Sequence, residues 1–279
     1  MFQIIRNEVL APQVHRLVVN APRVAAARRP GQFVIVHLKD GAERIPLTIA
    51  DADAGTITLI IQAVGPSTQQ IVDVPAGGAI RDVAGPLGLP THIERWGKVV
   101  CVGGGVGTAV LYPLAKALAD AGNEVTTLIG GRSAPFVILR DELAAFSREV
   151  LVTTEDGSLG VKGLVTAVLG EILADPQRRP DAVFAVGPVP MMRAVAEQTR
   201  PAGIKTIVSL NPIMVYGTGM CGGCRVTVGG RIKFACVDGP EFDGHQVDFG
   251  ELQQRQNTYR EADCRLEQRV RQLREQAGR

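Results

Sequence analysis

Residues 98–107 read KVVCVGGGVG, an unbroken apolar run that empties into glycines, and from Thr108 the stretch TAVLYPLAKALADAG continues at helical spacing. An apolar run without a polar face suits a strand covered on both sides, and glycines at its end let the backbone turn at once into a helix. The pattern then repeats. EVTTLIGGR reads as a strand, RDELAAFS as a helix and REVLVTTEDG as a strand; GLVTAVLGEILAD is a helix, DAVFAVGP a strand and PMMRAVAEQTR a helix. Such alternation predicts a doubly wound parallel sheet over residues 96–210, with ligands in the crevice at the carboxyl ends of its strands. KTIVSL, at 205–210, is its expected last strand.

Residues 1–95 differ in kind. FQIIRNEVL, HRLVVNA, QFVIVHL and TITLIIQAV are short and rich in Val, Ile and Phe, and only STQQIVDV has helical spacing. Short strands at this spacing bury an apolar face best by closing into a small antiparallel barrel. Residues 211–246 form a cysteine-containing module with a strand pair turning at Gly229–Gly230, and residues 247–279 a polar, helix-favouring tail, either solvated or facing a partner. The fold expectation is thus all-β plus α/β plus a small module, in a chain of 279 residues.

Charge and composition exclude several classes. A net charge of +2 gives no reason to invoke nucleic acid or a membrane surface. Arg6, Asn7 and Glu8 break the N-terminal stretch, so no signal peptide is expected, and no run of eighteen apolar residues suits a membrane span. Five cysteines, three of them close together, point to a reducing compartment, the cytoplasm, and to metal or redox chemistry.

Gly103, Gly104, Gly105 and Gly107 stand where strand becomes helix, so backbone N–H groups can approach a pyrophosphate. The strict G-x-G-x-x-G fails at Thr108, and the second strand ends in Arg132–Ser133 without an acidic residue for a ribose. A tight turn without ligand would use similar glycines. A second turn at Gly187–Pro188, again after a parallel strand, favours a nucleotide. In the barrel, Arg44 and Thr48 interrupt ERIPLTIAD, and Gly65, Ser67 and Thr68 lead into the short helix. Arginine can hold a diphosphate bidentately and threonine can donate to a ring nitrogen; the bland readings are a surface charge and a plain helix cap.

Together, R-x-P-L-T, G-P-S-T, GGGVGTA and GPVPMM resemble the ferredoxin–NADP reductase superfamily. NPIM, GTGMCGGCRV and FACVDGPEFDGH narrow the resemblance, which covers nearly all of residues 1–250. They are similar to small FAD/iron–sulfur subunits of NADH-dependent reduced ferredoxin:NADP oxidoreductases, and to electron-transfer subunits of dihydroorotate dehydrogenases. The resemblance implies that Arg44, Pro46, Leu47 and Thr48 meet FAD, with Thr48 near the reactive ring in the nearest thing to a catalytic role. Gly65, Ser67 and Thr68 match a second FAD phosphate turn. Gly103, Gly104, Gly105, Val106, Gly107 and Thr108, with Gly187, Pro188 and Met191, match the nicotinamide nucleotide loops, and Arg132 and Ser133 the adenosine ribose position. NAD is the expected nucleotide; NADP is the alternative, since arginine suits a 2′-phosphate. The chain departs from the superfamily in having Arg44 one residue further from Thr48, and Leu47 where an aromatic stands.

Cys221, Cys224 and Cys236 are the candidate metal ligands. Plant-type [2Fe–2S] spacing, C-x₄-C-x₂-C with a distant fourth ligand, puts the first ligand at position 216, which is tyrosine. The dihydroorotate-type relatives have cysteine there and the ferredoxin:NADP type aspartate. Tyr216 as phenolate is the favoured fourth ligand, with Asp238 or His245 as substitutes. The rivals are a Cys221/Cys224/Cys236/His245 zinc site or no metal. Cys101 reads as a buried small hydrophobe and Cys264 has no assigned role; His15, His37 and His92 are single. The implied protein is an NAD(P)H-dependent flavin/iron–sulfur oxidoreductase subunit. Its implied partner is a larger subunit with FAD and [4Fe–4S] clusters, through which ferredoxin is reached and electrons are bifurcated. A stand-alone NAD(P)H:flavin reductase and a nucleotide-binding scaffold are the alternatives.

Overall fold

A computed structural model describes residues 1–258. Strands β1 (Phe2–Ala11), β2 (Val14–Asn20), β3 (Phe33–His37), β4 (Arg44–Asp53), β5 (Thr56–Gln62), β6 (Ala79–Ile80) and β7 (Asp82–Leu87) pair antiparallel in the order β6-β1-β2-β5-β4-β3-β7. The edge strands β6 and β7 are separated in the chain by Arg81 alone, so the sheet has curled into a near-closed barrel. Register shifts at Ile4/Arg6, Val9/Ala11, Phe33/Ile35 and Ile49/Asp51 bend the strands enough to allow this. Leu17 and Val19 on β2, and Ile57, Leu59 and Ile61 on β5, point inward at every second position and fill the interior. Helix α1 (Pro22–Ala27), which the sequence reading missed, covers part of the barrel, and α2 (Pro66–Val72) matches the expected short helix.

The parallel sheet follows the expected alternation: β8 (Lys98–Gly104), α3 (Gly107–Asp120), β9 (Glu124–Gly131), α4 (Arg140–Ala144), β10 (Glu149–Thr154), β11 (Val161–Lys162), α5 (Val165–Ala174), β12 (Ala182–Val186), α6 (Val189–Thr199) and β13 (Lys205–Ser209). The continuous apolar character of β8 has a two-sided cause. Val99 and Cys101 pack in the core beneath α3, with Leu111, Leu114 and Leu118. Val100 and Val102 face the opposite core, with Leu169 of α5 and Met192 and Val195 of α6. The chain winds outward from β8 through β9 and β10, then restarts at β12 beside β8. The carboxyl ends of β8 and β12 are therefore the switch point where a ligand crevice opens.

KTIVSL is the last parallel strand but not the sheet edge. Strand β16 (Glu241–Asp243), from the cysteine segment, adds antiparallel to β13. Before it come the hairpin β14 (Arg225–Val228) and β15 (Arg231–Phe234), and α7 (Ala235–Asp238). Gly229 and Gly230 both have positive φ, 59° and 70°, as a two-residue hairpin turn of the primed type requires. Helix α8 (Phe249–Gln256) opens the polar tail and buries Phe249 and Leu252 against the α5–α6 side of the sheet. Cys264 lies outside the described residues. No described helix is long and apolar enough to cross a membrane.

Candidate functional site

A cavity of about 1080 Å³ lies between the barrel and the carboxyl edge of the parallel sheet. Pro46, Leu47, Thr48 and Thr68 line it from the barrel side. Gly104, Gly105, Val106, Gly107, Arg132, Gly187, Pro188 and Met191 line it from the sheet. Gly103 and Thr108 lie beneath the wall, packed so closely that a Cβ on Gly103 would sit 3.0 Å from Thr108 Oγ1. Ser133 precedes the short turn Ala134–Phe136, its carbonyl accepting from Phe136 N–H at 3.0 Å. Arg44, Gly65 and Ser67 stand outside the cavity wall; the Ser67 hydroxyl donates to Glu43, and Thr68 Oγ1 accepts from Gly65 N–H at 3.1 Å.

The two glycine turns touch each other. A Cβ on Gly104 would sit 2.6 Å from Met191 Sδ, one on Gly187 3.1 Å from Gly104 Cα, and one on Gly107 2.6 Å from the Val186 carbonyl oxygen. A side chain at Gly107 would collide with backbone, and one at Gly104 or Gly187 would have to displace the Met191 side chain, so the backbone itself forms the crevice floor. Beside it, Thr153 Oγ1 is buried without a hydrogen-bond partner and lines the cavity behind Gly130. A buried orphan hydroxyl in a cradle of glycines fits a polar ligand such as a dinucleotide.

Sequence reasoning missed several wall residues. Gln13, Gln62 and Met214 come from the turn after β1, the end of β5 and the segment before the cysteines. Glu155 follows β10 as Arg132 follows β9. Glu155 N–H donates to the Gly131 carbonyl at 3.1 Å and Asp156 N–H to the Arg132 carbonyl at 3.3 Å, and Glu155 and Arg132 both line the cavity. An acidic residue, absent after the second strand, thus follows the third at the same cavity edge, which motif spacing does not reveal.

In the cysteine loop, Cys224 and Cys236 are buried with their Sγ atoms 3.1 Å apart, and Gly219 N–H donates to Cys236 Sγ at 3.2 Å. Burial, then the neighbouring Cys224 thiol, pushes the Cys236 thiol up to about 11. Cys221 is exposed, and backbone N–H groups of Gly223, Tyr216 and Val215 pull its thiol down. Gly217, Gly219 and Gly222 all have positive φ, which turns the loop back on itself and aims amides at the sulfurs. Three thiols amid amide donors fit an iron–sulfur cluster, whose sulfurs accept such hydrogen bonds. The substitute ligands are engaged elsewhere: Asp238 Oδ2 accepts from Phe234 N–H at 2.7 Å, and His245 Nε2 lies 2.9 Å from Thr199 Oγ1. Among the described residues no three His, Cys, Asp or Glu side chains are grouped closely around one point, and His245 stands at Thr199 and not with the three cysteines. Tyr216 is half exposed, and the Arg44 guanidinium carbon lies 5.3 Å from its ring centroid.

Crevice and cysteines share a wall. Phe33, Ile35, Met214, Cys224, Ala235 and Cys236 form one buried cluster, and Phe33 and Met214 also line the cavity. Gly217 is what lets the loop seat on the barrel, since a Cβ there would meet Leu87 Cδ1 at 2.7 Å.

Residues 211–248 match the iron–sulfur cluster binding domain of dihydroorotate dehydrogenase B. The whole chain is 47% identical over 263 residues to a dihydroorotate dehydrogenase B (NAD(+)) electron transfer subunit homolog of Thermotoga maritima, covering 94% of this chain and 92% of the relative. The chain belongs to this electron-transfer-subunit family. A probable subunit of the same kind from Methanopyrus kandleri is 37% identical, covering 80% of this chain and 82% of the relative. Among solved structures, a chain of the NADH-dependent reduced ferredoxin-NADP oxidoreductase, studied for flavin-based electron bifurcation, superposes with a TM-score of 0.91 at 45% identity, covering 97% of each chain. The ferredoxin reductase in carbazole 1,9a-dioxygenase, at 18% identity and a TM-score of 0.62 over 73% of this chain and 65% of that one, shares the fold. The motif resemblance is borne out, and with it the assignment to electron-transfer oxidoreductase subunits.

Proposed function

We propose that this chain is the small subunit of a heteromeric oxidoreductase and passes electrons between NAD, FAD and a [2Fe–2S] cluster. The observation that carries the reading is the shared wall: Phe33 and Met214 face the cavity on one side and pack with Cys224 and Cys236 on the other. FAD, when bound, links the two-electron chemistry of a nicotinamide to one-electron traffic. The chain's own residues bind, orient and exclude water. Pro46, Leu47 and Thr48 hold FAD from the barrel, with Arg44, Gly65, Ser67 and Thr68 toward its diphosphate. Gly104, Gly105, Val106, Gly107, Gly187, Pro188 and Met191 cradle the nucleotide over the buttress of Gly103 and Thr108. Arg132 and Ser133 flank its ribose, and Thr153 offers its unpaired hydroxyl. The carboxylate of Glu155 opposes a 2′-phosphate at the same edge, which supports NAD over NADP.

Cys221, Cys224 and Cys236 hold the cluster, and the engagement of Asp238 and His245 elsewhere supports Tyr216 as its fourth ligand. Phe33, Ile35 and Met214 keep water from the gap between the two sites. Around the exposed Cys221, the side chains of Val215, Tyr216, Met220 and Val237 are also exposed, Met220 at 88%. This apolar rim suits docking on the larger flavoprotein subunit, which on this reading carries FAD and [4Fe–4S] clusters, reaches ferredoxin and bifurcates electrons in the cytoplasm. Anaerobically purified protein should contain FAD with iron and sulfide in equal amounts. On NADH addition it should give a reduced [2Fe–2S] resonance. Zinc, or flavin without iron, would overturn the proposal.

A further inference from the structure

We infer that Tyr216 is a positioning residue for flavin binding: its ring face braces the Arg44 guanidinium for the FAD diphosphate. Position 216 belongs to the cysteine loop, yet its ring lies under an arginine of β4, with the guanidinium carbon 5.3 Å from the centroid. Among the described residues Arg44 makes no ion pair, and it stands next to Glu43, whose carboxylate is engaged by Ser67. The arginine charge is therefore free for an anion, and the aromatic face is what limits its wandering. Guanidinium groups stack on aromatic rings while their edges keep all five N–H donors, so the brace leaves the diphosphate-facing edge available.

The loop is built to keep this contact. Gly217, at φ 72°, allows the close seat against Leu87 and Ile35 of the barrel, and the Tyr216 backbone N–H simultaneously faces Cys221 Sγ. One residue thus supports the cluster with its backbone and the flavin's arginine with its ring. This inference rests on the reading that Arg44 meets the FAD diphosphate, and the test separates the two.

The full chain is stripped of FAD and its Kd for added FAD is measured by quenching of flavin fluorescence. Tyr216→Phe and Tyr216→Ala both remove the phenol oxygen, so their comparison isolates the ring at matched cluster content, checked by iron analysis. Tyr216→Ala should bind FAD about two- to five-fold more weakly than Tyr216→Phe, the range of an exposed cation–π contact. Tyr216→Trp should rescue binding, and Tyr216→Leu should behave as the alanine variant, which covers a loop defect special to alanine. In an Arg44→Leu background the ring-dependent difference should vanish. Equal Kd values for the phenylalanine, alanine and leucine variants, while Arg44→Leu alone weakens FAD, would overturn the brace and leave the flavin reading standing. Unchanged FAD affinity in Arg44→Leu would overturn both.

Discussion

Replacing Glu241 by glutamine should stabilise the folded chain at neutral and alkaline pH. Glu241 opens β16, where the cysteine segment joins the parallel sheet, and its Oε1 accepts from Thr91 Oγ1 at 2.6 Å. Gly31 of the barrel closes over this pair, for a Cβ there would sit 2.3 Å from Thr91 Oγ1 and 2.9 Å from Glu241 Oε1. Burial at this three-way junction pushes the carboxyl from 4.5 up to about 7, and the single Thr91 donor only partly opposes it. The folded chain therefore holds this proton more tightly than the unfolded chain. Stability from this group is fully present below pH 4.5, falls as pH rises toward 7, and stays low above it. The gap between those two values is worth roughly 3 kcal/mol as an upper bound. Glutamine keeps the oxygen that accepts from Thr91 and never ionises. In urea titrations followed by the fluorescence of Trp96, the wild-type midpoint should drop between pH 5 and pH 8, whereas the Glu241→Gln midpoint should drop much less. At pH 8 the variant should be the more stable by up to about 3 kcal/mol, a midpoint gain on the order of 1 M urea. Parallel pH profiles, or a variant less stable at pH 8, would mean that the carboxylate is well solvated or paired in the native state and would refute the reasoning.

Three other outcomes are expected. Gly107→Ala places a methyl 2.6 Å from the Val186 carbonyl oxygen, a backbone atom that cannot rotate away, so it should cost about 1–3 kcal/mol in thermal or urea melts and weaken NADH binding at least about ten-fold by titration. Cys236→Ser removes a buried sulfur that contacts both Cys224 Sγ and Gly219 N–H, so iron content after anaerobic purification should fall sharply while bound FAD is retained. Glu155→Gln takes a negative charge from the crevice edge beside Arg132, and the ratio of KM for NADPH to KM for NADH should narrow by about three- to ten-fold in a dye-reduction assay.

Much of the fold was legible because its signals are local. The apolar run 98–104 alternates between two cores, so both faces had to be apolar, and the glycines that end it are required where β8 and β12 turn against each other. The hairpin at Gly229–Gly230 follows from two positive φ values that glycine alone adopts freely. The C-x₂-C loop, with Cys236 to follow, marked a candidate cluster site through spacing, inside the segment that matches an iron–sulfur binding domain. Helix α1 was missed because PRVAAA is only six residues long and carries no readable period. The addition of β16 to the sheet was missed because three residues carry too little pattern to name a partner strand.

What the amino-acid order determined by itself is the set of pieces: strand and helix periods, the turns that need glycine, and the residue types able to hold a dinucleotide, a flavin and a cluster. Tertiary structure alone decided how those pieces meet. Thr91 reaches Glu241 across 150 positions, Arg44 finds Tyr216, and Phe33 of the barrel becomes the wall between crevice and cysteines. The physical reason is that period and turn chemistry act within a few residues of backbone. A carboxyl's solvation, an arginine's stacking partner and a shared apolar wall depend instead on which distant surfaces the closed barrel and the wound sheet bring together.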